Sequence, residues 1–307
     1  MVNAPLFSIL LPTHNRADVL PFALDSMLRQ TEGDFELLVV GDGCTDHTAE
    51  VVAQTRDPRV RWFDLPKGPG YGYGNRNVAL RQARGAFVAF MAHDDIVFPD
   101  HLARLAALFA DPAVDLAYSR PLWVTTDGIV VPTAHNLHNP VDWATFQHGN
   151  FIPAACVAHR RACLEAAGYW PEDVPHSGDW HLWRRILRPD GRNLAYEPIP
   201  TALHFVANWK KDRASLMPEV ARMLPFADTA DWWPAALKVD ATGFATEQAA
   251  FAHAMAEDPA FATRVRAGAI QMLDHLARSL MDGSIAFPAP EPEEPQAEAL
   301  ADGEDAE

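Results

Sequence analysis

The chain has 307 residues, 49% of them apolar, and a formal net charge of −16. That is apolar material for one large domain or two small ones, and the longest apolar runs, such as Ala86–Ala92, fall far short of the ~20 residues a membrane span requires. Nine of the 41 acidic residues lie within 282–307, a stretch without Lys or Arg, which leaves −7 on the rest of the chain and disfavours nucleic acid as the main partner, since a phosphate backbone calls for a basic face.

Phe7–Pro12 (FSILLP) is a short continuous apolar run, the pattern of a parallel strand buried on both faces. Leu20, Leu24, Met27 and Leu28 give Asp18–Gln30 a helical period. Phe35–Val40 predicts a second strand. Asp46–Gln54 predicts a helix, with Asp46 placed to cap it and Ala49, Val52 and Ala53 on one face. Val60–Leu65 is a third strand. Gly68, Gly70, Gly72 and Gly74 then alternate, which makes neither GxGxxG nor a Walker loop. A flexible turn explains them, and so does a backbone placed close to a ligand. Asn75–Ala83 reads as helix, Phe87–Met91 as strand, Asp100–Phe109 as helix and Val114–Tyr118 as strand. This β-α-β-α order implies an α/β fold with a mainly parallel, Rossmann-like sheet flanked by helices. Asp127-Gly128 inside Trp123–Val131 signals a hairpin. Ser177–Leu187 predicts a helix capped by Ser177 or Asp179, with Trp180, Trp183, Ile186 and Leu187 as its apolar stripe. Residues 218–280 are Ala-rich and helical in character, and from Pro288 the Pro/Glu/Ala-rich end is expected to be disordered.

Ligands of open α/β sheets bind beyond the carboxyl ends of the strands. The first strand runs out in Pro12-Thr13-His14-Asn15-Arg16, the second in Gly41-Asp42-Gly43-Cys44-Thr45-Asp46, the fourth in His93-Asp94-Asp95. Any single Asp here is explained equally well as a turn or cap residue. Acidic groups at several neighbouring strand ends suit a hard cation, Mg²⁺ or Mn²⁺, and with it a diphosphate.

Five segments in this order resemble family 2 glycosyltransferases of the GT-A fold. They are FSILLPTHNR (Phe7–Arg16), LLVVGDGCTDHT (Leu37–Thr48), GNRNVAL (Gly74–Leu80), AFVAFMAHDDIVFPDHL (Ala86–Leu102) and SGDWHLWRRI (Ser177–Ile186). The resemblance runs from about Phe7 to about Lys211. It implies an inverting transferase that uses a nucleotide-diphosphate sugar, a UDP-sugar by preference with GDP and dTDP sugars as alternatives, and a glycan, lipid-linked or other hydroxyl acceptor. Pro12, Thr13 and Asn15 would line the nucleotide pocket, Asp42 would recognise the base, and Arg76, Asn77 and His93 would lie near base or sugar. Asp94, with Asp95 and His204, would hold the cation, and Asp179 would be the general base. Three positions depart from the family pattern: Gly41 replaces the first Asp of the DDGS-like segment, Ala92 the first Asp of DxD, and Gly178 the Glu of the ED-like pair. Ala92 keeps open a domain that binds nucleotide or glycan without turning it over.

Trp180, Trp183 and Trp209 are candidates for sugar stacking or for core packing, and His135, His138 and His148 for an acceptor cleft or a plain loop. The expected organisation is a nucleotide-sugar half over 1–119, an acceptor half over 120–212, a helical extension over 213–285 and an acidic tail over 286–307. The extension would pack on the catalytic part, form a dimer contact or lie on a membrane. Three cysteines that cannot all pair, no CxxC, and an opening without basic leader or cleavage site point to a reduced, cytoplasmic chain, at most peripheral to the inner face of a membrane.

Overall fold

A computed structural model of the chain describes residues 4–206 and 217–285. Its first half contains β1 (Phe7–Thr13), α1 (Leu20–Leu28), β2 (Phe35–Asp42), α2 (Thr48–Gln54), β3 (Val60–Leu65), α3 (Tyr73–Leu80), β4 (Phe87–Phe90), β5 (Ile96–Val97), α4 (His101–Leu108) and β6 (Leu116–Val124). There follow β7 (Val130–Pro132), α5 (Pro140–Phe146), β8 (Val157–Arg160), α6 (Cys163–Ala167), α7 (Gly178–Ile186), β9 (Leu194–Phe205), α8 (Pro218–Thr229), α9 (Glu247–Glu257) and α10 (Phe261–Asp282).

Strands β3-β2-β1-β4 lie side by side and parallel, Phe7 of β1 facing Phe35 on one side and Phe87 on the other. β1 and β2 are buried along almost their whole length, which is why their sequences do not alternate. Past β4 the orientations mix: β8 pairs antiparallel with β4, β6 antiparallel with β8, and β9 parallel with β6, with short β5 at the edge. The β6–β9 register slips between Ser119 and Pro121. The opposing stretch of β9 carries Pro198 and Pro200, which have no N–H to give the ladder. The Asp127-Gly128 pair does turn β6 into β7, with Gly128 at φ +80°.

One core surrounds the parallel half of the sheet. A second joins Ile96, Phe98, Leu122, Val124, Leu203 and Phe205 to the apolar faces of α8, α9 and α10. The Ala-rich helices thus close over the far end of the sheet. Arg266 of α10 forks onto the Asp100 carboxylate at 2.6 and 3.0 Å, and Gln248 of α9 donates to the Asp94 carbonyl at 3.2 Å. Among the described residues no helix is long and apolar enough to cross a membrane. Trp209 and the 286–307 tail lie outside the described residues.

Candidate active site

In the order β3-β2-β1-β4 the chain reverses its direction of travel across the sheet between β1 and β4, and a crevice opens beyond their carboxyl ends. There a cleft of about 490 Å³ is lined by Pro12 from β1, Ala92 and His93 after β4, Arg76 from α3, Asp179 from α7 and His204 from β9. Five residues singled out in the sequence (Pro12, Arg76, His93, Asp179, His204) therefore share one cavity, although they span nearly 200 positions.

Asp179 occupies the first turn of α7 and accepts the N–H of Trp180 at 2.7 Å. Burial pushes its carboxyl up, and the Trp180 N–H and the Arg76 charge oppose this without cancelling it, so its pKa lies above the ordinary aspartate value. The start of α7 is fixed from α3: the Gly178 N–H donates to the Tyr73 hydroxyl at 3.1 Å. A Cβ at Gly178 would stand 2.9 Å from the Tyr73 ring and 3.1 Å from Trp170. Arg76 stacks over both of those rings, 4.9 and 4.8 Å from their centroids. Its Nε is buried without a hydrogen-bond partner. Ser177, just before the helix, takes φ +54°, an uncommon backbone for a side chain of its kind.

Across the cleft, His93 Nδ1 lies 3.3 Å from the Pro12 carbonyl, and Arg16 reaches both His93 (3.3 Å) and Asp94 (3.7 Å). The Asp94 side chain is 13% exposed. Asp95 is placed differently from the sequence expectation. It is fully buried, and its carboxylate meets His204 Nδ1 at 2.9 Å and the Phe205 N–H at 3.1 Å. It stands behind His204 and is not open to the cleft. Among the described residues no three His, Cys, Asp or Glu side chains are gathered as a cation site.

Asp42 is engaged by the glycine loop: Lys67 at 2.6 Å, the Gly68 N–H at 2.7 Å and Asn75 at 2.6 Å. Burial raises its pKa, but the bonds from Lys67 and Gly68 outweigh this and hold it low. Gly72, at φ +69°, is pressed so close that a Cβ would lie 2.5 Å from this carboxylate. Asn15 sits on the surface with φ +48° and fastens the β2–α2 loop through the N–H of Thr45 at 2.7 Å. Thr13 is buried with its hydroxyl unpartnered. Asn77 is buried and does not line the cleft; its amide clasps the Trp170 backbone at 2.9 and 3.0 Å.

Trp180 and Trp183 are buried core residues. His135 pairs with Asp142 at 3.1 Å and stacks on Phe151, while His138 and His148 are exposed and outside this cleft. Tyr71, Tyr73, Asn150 and Trp170 line it without having been singled out from the sequence. The alternating Gly68–Gly74 run was the available signal for the two tyrosines, which sit inside it.

A mixed sheet with its cleft at this switch point defines an α/β domain of the GT-A type. Two solved structures share it: S. aureus TarS 1-349 in complex with UDP-GlcNAc (TM-score 0.54, 19% identity, covering 93% of this chain and 98% of that one), and the mannosyltransferase PcManGT from Pyrobaculum calidifontis in complex with GDP-Man and Mn²⁺ (TM-score 0.52, 19% identity, 92% and 88%). Residues 8–153 match the model of glycosyl transferase family 2, so the chain carries a domain of that family. A PGL/p-HBAD biosynthesis glycosyltransferase of Mycobacterium bovis BCG is 41% identical over 130 residues, covering 40% of this chain and 50% of the relative. The chain thus spans about half the length of the curated relatives it matches.

Proposed function

We propose that the chain transfers a sugar from a nucleotide-diphosphate donor, foremost a UDP-sugar, to a hydroxyl of a glycan, lipid-linked or other acceptor, inverting the anomeric carbon. The observation that carries this reading is Asp179, a carboxylate of raised pKa facing a switch-point cleft that also holds Arg76 and His93. Asp179 takes the acceptor proton as the acceptor oxygen bonds to the anomeric carbon, and the bond from that carbon to the diphosphate breaks. A base of raised pKa is better matched to such a proton than an ordinary aspartate. That proteins of this fold are solved with UDP-GlcNAc and with GDP-Man and Mn²⁺ agrees with the donor class.

A divalent cation suits these residues in a sparser form than three protein ligands. Asp94 offers one carboxylate, and His204 lines the cleft with its Nδ1 fixed by Asp95, the carboxylate–imidazole arrangement common at metal centres. Mg²⁺ or Mn²⁺ would be held by Asp94 and His204 together with the donor's own diphosphate, and Asp95 would orient rather than ligate. When bound, the ion would supply positive charge at the leaving diphosphate. Ala92 favours one other reading, a domain that binds nucleotide or glycan without turnover.

Thermal melts with UDP, GDP, dTDP and CDP, with and without Mn²⁺, test the reading beside donor turnover in the presence of acceptor. One nucleotide at 100 times its Kd should stabilise the protein by about 2.7 kcal/mol. Asp179→Asn should bind that nucleotide and release no product. A bound nucleotide with no turnover on any acceptor favours the non-catalytic reading, and no shift with any nucleotide overturns the donor assignment.

A further inference from the structure

We infer that the acceptor is a saccharide, a ring with a second hydroxyl beside the one that reacts, and that the Ser177 hydroxyl holds it against Asp179. This rests on the transferase reading for the chemistry at Asp179 and goes beyond it in naming the acceptor class and a residue that selects it. Ser177 and Asp179 line the same reaction cleft, two positions apart in the chain. A serine just before a helix ordinarily gives its hydroxyl to the N–H groups of the first turn. Ser177 makes no such capping bond. The first-turn N–H groups have other partners: Gly178 donates to the Tyr73 hydroxyl at 3.1 Å and Trp180 to the Asp179 carboxylate at 2.7 Å. Among the described residues the Ser177 hydroxyl meets only the ring of its exposed neighbour His176, at 3.2 Å.

The backbone argues against a merely structural serine. At φ +54° and ψ +38° Ser177 is left-handed, a conformation that suits glycine and that crowds any Cβ. Glycine would make this turn with less strain, and α7 does not need the cap. What serine adds is a hydroxyl on the cleft wall, next to the base. The base meets the acceptor, so a polar group beside it faces the acceptor as well. A hydroxyl can donate and accept at once, which matches a neighbouring hydroxyl of the acceptor. Two further lining residues suit a polyol ring. Asn150 accepts the Ile152 N–H at 3.0 Å through its carbonyl oxygen, and among the described residues its amide nitrogen donates to none. Tyr71 is 60% exposed and offers an aromatic face, against which the C–H side of a sugar ring packs. A phenol or a long-chain alcohol has one hydroxyl, which Asp179 takes. It would cover the Ser177 hydroxyl and the Asn150 amide without pairing them, which is costly. A sugar ring pairs them.

The test offers the full chain methyl glucoside, galactoside, mannoside and rhamnoside, with 4-methylphenol and 1-octanol as acceptors of a single hydroxyl. Saturation-transfer NMR in the presence of UDP reports binding, and product mass reports transfer. At least one hexoside should bind and be used with a kcat/KM about tenfold or more above the single-hydroxyl compounds. Its analogue lacking the hydroxyl beside the reacting one should lose about tenfold. Ser177→Gly should melt at or above the wild-type temperature, since it relieves the left-handed strain. Ser177→Gly and Ser177→Ala should both raise the hexoside KM about tenfold while the nucleotide still shifts melting. Ser177→Asn, polar and tolerant of this backbone, should recover part of the loss. Binding of no hexoside, equal use of the single-hydroxyl acceptors, or a wild-type hexoside KM in Ser177→Gly overturns the inference. Ser177-dependent hexoside binding without any nucleotide shift refutes the transferase reading alone. A nucleotide shift and Asp179-dependent transfer that ignore Ser177 refute the Ser177 assignment alone.

Discussion

Gly178→Ala is a one-carbon change that probes how Asp179 is held. The new Cβ would stand 2.9 Å from the Tyr73 ring and 3.1 Å from Trp170, closer than side-chain carbons settle. Neither ring is free to turn aside: both are buried, and the Tyr73 hydroxyl takes the Gly178 N–H. Overpacking of this kind costs about 1–3 kcal/mol. Replacing Gly by Ala where φ is negative returns about 0.4–1 kcal/mol through the unfolded chain, which leaves a net loss of roughly 0.5–2 kcal/mol. At about 2–4 °C per kcal/mol for a domain of 150–250 residues, the melting temperature should fall by a few degrees. The turnover loss should be larger than that stability loss implies, because Asp179 is the next residue and a displacement near 1 Å can cost about 10²-fold. Differential scanning fluorimetry and single-turnover kinetics measure the two effects separately. Pairing Gly178→Ala with Tyr73→Leu makes room for the methyl group, and the double variant should melt above the sum of the single effects. A Gly178→Ala protein with wild-type melting and turnover, or a double variant that is merely additive, would show that the ring contact does not hold the helix start.

Asp179→Asn should lower kcat by about 10²–10⁴-fold with little change in donor binding, as read from steady-state kinetics and nucleotide titration. Because burial holds Asp179 above the ordinary aspartate value, kcat should fall on the acid side as the carboxyl protonates. Arg76→Met, which removes an opposing charge, should move that acid limb to still higher pH; an unmoved limb would rule out Asp179 as the titrating base. Asp94→Ala should abolish the Mn²⁺-dependent part of any nucleotide-induced melting shift, and a shift unchanged by the variant would remove Asp94 from the cation site. Glu36 is buried and receives Ser8 at 2.7 Å, Arg61 at 2.9 Å and the Arg84 N–H at 2.7 Å. Burial raises its pKa, but the bonds from Arg84, Ser8 and Arg61 outweigh it and leave the pKa lowered. Its stabilisation is therefore complete above the ordinary glutamate value and disappears as pH falls through the lowered folded one. Glu36→Gln should cost about 1–2 kcal/mol in urea melts at neutral pH, toward the low end because Arg84 is 57% exposed, and the difference should close in strong acid.

The parallel half of the fold was legible because β1, β2 and β4 are buried on both faces and write themselves as apolar runs, while β3, at the edge, is only partly buried. β5 and β8 were not: they have two and four residues, and their partners β9 and β4 lie far off in the chain. The Ala-rich composition announced helices, while their seat on Ile96, Phe98 and Phe205 depends on packing that no local pattern carries. The motifs located the cleft, but which way a side chain turns within a motif is decided by its neighbours. Asp94 and Asp95 are adjacent, yet one keeps some exposure beside Arg16 and the other is fully buried and spent on His204. Arg76 lines the cleft while Asn77 clasps Trp170. Two of the departures from the family pattern also have physical partners. A Cβ at Gly41 would collide with Trp62 at 2.3 Å, as one at Gly178 would with Tyr73. In both places a distant aromatic ring fills the room that a longer side chain would need.

The donation from Gln248 to the Asp94 carbonyl and the core shared with β5, β6 and β9 bear on how this molecule can be cut and recombined. A fragment ending at residue 153, where the family match stops, would lack β8 and β9 and with them two strands between β4 and the edge of the sheet. A fragment ending at 206 would keep every strand but strip the cover from Phe98, Leu122, Val124, Leu203 and Phe205, an oily face with a short open edge beside it. Chimaeras that exchange catalytic segments between relatives therefore need their junctions placed so that the C-terminal helices travel with the strands they cover. For this chain the transplantable unit is the sheet together with its helical cover.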